Sequence, residues 1–308
     1  MKLPATPIGN ALVGMALVSC TVSLALPSDQ SLLSLVPPGS QIVAGAIAPL
    51  ESSHRGNFLL FTRANILDLE DFFSLAGADA SVGIQQMIFA ASAAEGTSPE
   101  HSLLVIGHFD REHIYRAASA TANPSNYHEI SLVVVHPFGR ERAILRGDRL
   151  LAIVNSRLAI FGTPLSAEEE IDRYLNSAPA DAAIVQRLSQ LQGQNETWCL
   201  ITSLPLNAEI PRVLSKLDPA FSEIEASSDT LLFGIKYGRQ IEFEYVIDAR
   251  AGSQAVPLLA GPTERLFGSA GDSLYSASHS TTPTPGARRL LKVSKLRYQK
   301  WLAGLTQH

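Results

Sequence analysis

The segment Thr230–Ile247, TLLFGIKYGRQIEFEYVI, decides the fold class. Its two apolar runs are separated only by Gly238 and Arg239, which is the spacing of a tight two-residue β-hairpin. In the second run, Ile, Phe, Tyr and Ile alternate with Glu, Glu and Val, so one face of the hairpin is predicted to be buried and the other largely wet. This pattern favours an antiparallel sheet.

A strand, a helix and two further strands occur twice along the chain. The first set is predicted at Gln41–Ala48, near Ala64–Ala76, at Ile84–Ser92 and at Leu103–Phe109. The second set is Thr197–Leu204, a helix near Ala208–Leu217 and the hairpin. Two β-α-β-β units, at about 41–110 and 197–248, are therefore predicted. The expected fold class is α+β, with mostly antiparallel sheets, helices on one face, and a strand meander joining the two units.

The segment between the units predicts the meander and several helices. Its strands are expected at Ile130–Val135, Ala143–Leu145, Leu150–Val154 and Leu158–Gly162. Asp110 is expected to cap a helix over Arg111–Ala120, and Asp181 to start another that runs through Leu191. Ser166 and Glu169 have the spacing of a capping box for a helix through Leu175, and Glu168, Glu169 and Glu170 would then favour the dipole of its first turn.

The N-terminal segment 1–26 has the form of an export leader. Lys2 precedes the uncharged run Ala11–Ala25, which is too short and too polar for a typical membrane span. Leu17-Val18-Ser19-Cys20 also resembles a bacterial lipobox, in which the Cys20 thiol would carry a lipid. Cleavage, lipidation at Cys20 and retention as an uncleaved anchor remain open at this point.

Composition indicates an ordered body without a disulfide framework. Apolar residues make up 46% of the 308 residues and charged residues 17%, far from the composition of disordered chains. The two cysteines are Cys20 and Cys199, and Cys199 is expected to be a small buried hydrophobe because it lies in the apolar run Trp198–Ile201. Stability must therefore come from packing.

Charge is concentrated at the C-terminus. Six bases and no acid lie in 288–308, and removing these six and Lys2 from the 24 bases leaves 17 against 29 acids, about −12 over residues 3–287. The acidic body argues against a nucleic-acid partner. The basic tail could contact an anionic membrane surface or another partner, or be a solvated terminus. Its candidate contact residues are Arg288, Arg289, Lys292, Lys295, Arg297, Lys300 and Trp301.

Motifs for catalysis, cofactors and metals give no site. The sequence contains no Gly-x-Ser-x-Gly, His-Glu-x-x-His or phosphate-binding glycine loop. His108, Asp110 and His113 lie close together, but their spacing matches no known metal site and Asp110 serves better as a helix cap. No catalytic residue, cofactor or metal is therefore predicted. Asn195-Glu196-Thr197 is a glycosylation sequon that matters only if the source organism glycosylates exported proteins.

The chain resembles uncharacterised exported proteins of bacteria. The resemblance lies in Leu35-Val36-Pro37-Pro38, Val43-Ala44-Gly45, Ile247-Asp248-Ala249-Arg250 and the leader, and it covers most of residues 31–250. It implies a duplicated α+β sheet domain and no assigned activity. The chain departs from that pattern after Ala251, where a proline-broken segment stands in place of a final helix.

These observations predict a leader at 1–26, a first α+β unit with the meander at 31–196 and a second unit at 197–267. A flexible linker at 268–287 and a basic amphipathic tail at 288–308 follow. The expected function is that of a non-catalytic, periplasmic or envelope-associated protein that binds a protein or small ligand through its sheet domain. The alternatives are a hydrolase-like enzyme whose site assembles from dispersed residues and a structural subunit of an envelope assembly.

Overall fold

The fold is described by a computed structural model over residues 30–48, 72, 83–92, 100–119, 123–135, 148–191, 195–202, 228–249, 273–276 and 286–294. These residues form a mostly antiparallel sheet with a few helices, an α+β arrangement. The strands β1 to β12 are Ile42–Ile47, Gln86–Ser92, Glu100–Ile106, Asn123–Tyr127, Ile130–Val135, Arg149–Ile153, Leu158–Gly162, Thr197–Thr202, Ser228–Tyr237, Gln240–Ala249, Ser273–Ser276 and Gly286–Ser294. The helices α1 to α4 are Gln30–Leu33, Arg111–Ser119, Pro164–Leu175 and Ala182–Leu188.

The twelve strands belong to one sheet in the order β11-β12-β10-β9-β8-β1-β2-β3-β7-β6-β5-β4. Every neighbouring pair is antiparallel. Near the centre, β1 pairs with β2 on one side and with β8 on the other. Strands from the segments 31–196 and 197–267 therefore share a single sheet.

The predicted hairpin is confirmed, since β9 and β10 pair antiparallel on either side of Gly238 and Arg239. The strands predicted at the start of both units and in the meander are also present as β1, β2, β3, β5, β6, β7 and β8. The strand predicted at 143–145 lies outside the described residues. Strand β4 was not predicted, because Asn123–Tyr127 contains proline and polar residues that a sheet tolerates only at its edge.

The helices lie on both faces of the sheet, so the prediction of helices on one face is wrong. Ile114 of α2 packs in one buried cluster with Leu103 and Val105 of β3. Ile171 of α3 packs in a second cluster, which contains Leu104 from the opposite face of the same strand. Because all three neighbouring side chains of β3 are apolar, both faces of the sheet centre need a cover.

The centre of the sheet is closely packed around Trp198. Its side chain is fully buried in the cluster that includes residues from α1, α3 and α4. A Cβ atom added to Gly45 on the neighbouring strand would lie 2.2 Å from the indole ring. Glycine is therefore required at this position because the ring covers the β1 backbone directly.

Two predicted helix caps are confirmed and one capping box is wrong. Asp110 Oδ1 accepts from the His113 amide, 3.0 Å away, and Asp181 Oδ1 accepts from the Ala183 amide, 2.8 Å away. Helix α3, however, begins at Pro164 with Thr163 as its N-cap residue, and no side chain caps it. Proline favours the first helical position because its φ angle is already helical. Because the helix begins at Pro164, the three glutamates lie beyond its first turn. The prediction that they interact with the helix dipole there is therefore also wrong.

The helices predicted near 64–76 and 208–217 lie outside the described residues, except that Phe72 is helical and buried. Farther along the chain, Ser273–Ser276 and Gly286–Ser294 are strands β11 and β12. Part of the predicted linker and tail is thus placed in the sheet, where β12 pairs with β10 over nine residues. Among the described helices, none is long and apolar enough to cross a bilayer.

Candidate ligand-binding groove

A groove of about 480 Å³ lies between α1, the C-terminal end of α3 and the turn joining β6 to β7. We call it the α1–α3 groove. Its lining consists of Leu32, Ser34, Leu35, Ile106, Asn155, Arg157, Leu158, Arg173, Tyr174, Ser177 and Ala178. The volume falls within the range of roughly 300–1,000 Å³ that is typical of small-molecule sites.

The apolar part of the lining comes from elements that the sheet holds rigidly. Leu32 and Leu35 come from α1 and the residues after it, and both are buried in the cluster that also contains Leu158 of β7. Ile106 ends β3 and packs against the same cluster. These side chains form a preformed apolar wall, because each belongs to the packed core behind the groove.

The turn between β6 and β7 presents Arg157. Asn155 Oδ1 accepts from the amides of Arg157, 2.8 Å away, and Leu158, 3.0 Å away, which fixes the turn by a local side-chain bond. Asn155 Nδ2 donates to the Tyr174 hydroxyl over 3.3 Å and so links the turn to α3. The Arg157 Nη2 atom donates to Gln85 Oε1 over 3.4 Å, and the arginine side chain remains exposed.

The last turn of α3 presents a second arginine. Arg173 donates from Nε to the Ser34 carbonyl over 2.8 Å and from Nη2 to the Pro179 carbonyl over 2.6 Å. A cation is favourable at this end of a helix, where the backbone carbonyls carry partial negative charge. The two bonds hold the guanidinium group between α1 and the chain that leaves α3.

A buried polar pair lies under α3. Ser102 on β3 donates a hydrogen bond to Glu170 Oε1, and both residues are sealed from solvent. Burial raises the pKa of the Glu170 carboxyl well above its ordinary value of 4.5, although the bond from Ser102 acts in the opposite direction. The neutral acid is therefore favoured. Because solvent does not reach either group, this pair cannot act on a ligand in the described conformation.

The burial of Glu170 was not predicted from the sequence. Ala167 and Ile171, which are three residues before it and one after it, are both fully buried, and this helical spacing places Glu170 on the same face. The signal was therefore present in the sequence. The groove itself had no such signal, since its two arginines lie on separate elements.

Cys199 is buried as predicted, and burial raises the pKa of its thiol to about 12. The sequon residue Asn195 is also buried, 5% exposed, and its side chain packs against the position where Gly234 lacks a Cβ. Glycosylation of the folded chain at Asn195 is thereby blocked. Within the described residues, no three His, Cys, Asp or Glu side chains are grouped to hold a metal ion.

The residues predicted to contact a lipid, membrane or partner are described only in part. Arg288, Arg289 and Lys292 belong to β12, at the register positions opposite Val246, Tyr245 and Glu242. Cys20, Lys295, Arg297, Lys300 and Trp301 lie outside the described residues. Of the candidates that the structure describes, Arg288, Arg289 and Lys292 are not among the lining residues of the α1–α3 groove.

Comparison of the chain with protein-family models, curated proteins and solved structures gave no match.

Proposed function

We propose that this chain is a non-catalytic, exported or envelope-associated protein that binds a small ligand in the α1–α3 groove. The observation that carries the proposal is the composition of the groove: an apolar wall from the core, two arginines, an asparagine and a tyrosine around about 480 Å³. Such a mixture of apolar surface with a few fixed polar groups is the usual lining of a ligand site.

Two of the described nucleophiles, Ser102 and Cys199, are placed where they cannot reach a substrate. Both are buried, and Ser102 donates to Glu170, an acid whose burial favours the protonated form. A catalytic serine requires access to its substrate and a base that can take its proton. A neutral, buried carboxyl supplies neither of these conditions.

The binding proposal is tested by native mass spectrometry of the full chain purified from its own source. Ala178 lines the groove and is partly exposed, so Ala178→Trp should fill the space and abolish a co-purifying small-molecule mass. Ala182→Trp, at an exposed position on α4, is the matched control and should retain that mass. The same bound mass in both variants would place the ligand elsewhere, and no bound mass in the unaltered chain would contradict small-ligand binding.

Export is supported by the leader, in which Lys2 precedes the apolar run Ala11–Ala25. Lipid on Cys20 or contacts of the basic tail would hold the protein near a membrane. Mass spectrometry of the N-terminus after cell fractionation distinguishes these cases, because a processed chain begins after the leader and a lipoprotein begins at lipid-modified Cys20. A chain that retains Met1 in the cytosolic fraction would contradict export.

We also propose that the sheet arose by duplication of a three-stranded unit. The support for this proposal is the order of the strands. β1, β2 and β3 are consecutive neighbours in the sheet, and so are β8, β9 and β10. The two sets meet where β1 pairs antiparallel with β8. An experimental structure tests this arrangement. A rotation of about half a turn should superpose the two sets with matching strand directions, and mismatched directions would contradict a duplication.

A further inference from the structure

We propose that the ligand of the α1–α3 groove is an amphipathic anion, in which a carboxylate or phosphate group is attached to a hydrocarbon portion. This inference rests on the function proposed above and specifies its ligand class. It follows from three features: two arginines with no acidic residue in the described lining, a guanidinium group held in place at Arg173, and an apolar wall beside the two arginines.

Within the described lining, no acidic residue neutralises the positive charge. The lining includes Arg157 and Arg173, and none of its eleven described residues is acidic. The ion pairs found among the described residues are His128–Asp172 and Arg187–Asp248, and neither contains a groove arginine. An anion would therefore meet two guanidinium groups that no described carboxylate already occupies.

Arg173 interacts electrostatically with Glu170, but this acid does not offset the charge of the arginine. Burial favours the protonated form of this acid, whose hydrogen-bond partner is Ser102 rather than the arginine. Charge complementarity in a partly desolvated site is far stronger than on an open surface, because water screens the groups less. The positive charge of the described lining is thus available to a ligand.

The geometry of the arginines suits recognition of an oxyanion. Arg173 uses Nε and Nη2 on the Ser34 and Pro179 carbonyls, while no described residue accepts from its Nη1. Arg157 makes one long side-chain bond, 3.4 Å, to Gln85 and is otherwise exposed. Because two carbonyl bonds hold the Arg173 guanidinium group, it loses little rotamer freedom when it donates to a carboxylate or phosphate.

The remaining lining selects a ligand with an apolar part. Leu32, Leu35 and Leu158 belong to the packed core and expose little surface. The apolar area open to a ligand therefore comes mainly from the partly buried Ile106 and from Tyr174, which is 38% exposed. A hydrocarbon portion would cover this surface and gain about 25 cal/mol per Å² of apolar area removed from water. Nucleic acid does not fit this site, because it needs an extended basic surface and the body of the chain is acidic.

The test is isothermal titration calorimetry of the full chain with octanoate, octyl phosphate and 1-octanol. The three probes share an eight-carbon chain and differ in the head group. Both anions should bind more tightly than the alcohol, and the anion with the higher affinity identifies the preferred head group. Added salt should weaken the anions more than the alcohol, because it screens charge.

Arg157→Gln and Arg173→Gln should each weaken the better anion by at least about tenfold, since a charge-assisted hydrogen bond is lost. Arg116→Gln on α2, across the sheet from the groove, is the matched control and should leave the affinity unchanged. Arg157 is exposed, so its variant remains informative even if loss of the Arg173 bonds impairs folding.

Octanol that binds as tightly as the anions, unchanged anion affinity in the folded groove variants, or no binding of any probe would each overturn the anionic ligand class. The proposed function has a separate readout. Suppose that a neutral molecule co-purifies with the chain and is lost in Ala178→Trp. This result would support ligand binding in the groove and contradict the anionic ligand class.

Discussion

At the scale of single residues, the helical spacing of buried residues in α3 predicts that Glu170 is buried, but it does not predict the partner of the carboxyl group. The neighbouring residues Ala167 and Ile171 mark the buried face of α3, and both can be read from the sequence. The partner Ser102 lies 68 residues away on β3, and no local pattern connects the two positions. The burial of the acid could therefore be predicted, whereas the hydrogen bond that it accepts from Ser102 could not.

The buried carboxyl makes stability depend on pH. In the unfolded chain Glu170 should titrate near its ordinary value of 4.5, and in the fold its pKa is raised well above that value. Above pH 4.5 the unfolded chain binds fewer protons than the folded chain, so the free energy of unfolding should fall as pH rises toward the folded pKa. The slope is at most about 1.4 kcal/mol per pH unit.

Glu170→Gln should remove this contribution, because glutamine has a similar shape and no charge to bury. Urea unfolding at pH 5 and pH 8 should show a smaller loss of stability across that interval for the variant than for the unaltered chain. Glu112→Gln, at an exposed position on α2, is the control and should keep the original slope. Parallel stability profiles for the unaltered chain and Glu170→Gln would contradict a neutral buried acid.

At the scale of elements, helix starts depended on which local signal prevailed. Asp110 and Asp181 precede their helices and cap them as predicted, since each side chain reaches an amide in the next turn. Ser166 and Glu169 also had cap spacing, yet Pro164 starts α3 two residues before that serine. A capping box is optional for a helix, whereas proline has a fixed φ angle, so the proline signal was the stronger one.

Asp110→Ala should destabilise the protein by about 1 kcal/mol, because the His113 amide loses its acceptor at the start of α2. The loss should stay near this size, since Tyr115 also anchors α2 by donating to the Ser131 carbonyl and accepting from the Ile153 amide, 2.9 Å away. Urea unfolding measures the difference. Asp110→Asn retains a cap oxygen and should recover most of the stability, so equal losses in both variants would exclude the capping role.

At the scale of the whole molecule, the sequence predicted most described strands but not their assembly. The alternation of apolar and polar residues in β10 indicated one buried face, and helices were therefore predicted on only one face of the whole sheet. The strands at the centre are apolar on both faces, which is why helices cover both sides. The groove could not be predicted at all, because its residues come from α1, β3, the β6–β7 turn and α3, which meet only after the sheet has formed.

The pairing of β10 with β12 makes residues 286–294 part of the sheet. Leu291 lies opposite Phe243 of β10 and Ser273 of β11, so it has neighbours on both sides. Leu291→Pro removes a backbone donor from this ladder and should cost roughly 1–3 kcal/mol, with earlier cleavage of the segment in limited proteolysis. Leu291→Ala keeps the donor and should be less damaging. A proline variant that matches the unaltered chain in urea unfolding and in proteolysis would show that residues 286–294 do not stabilise the sheet in solution.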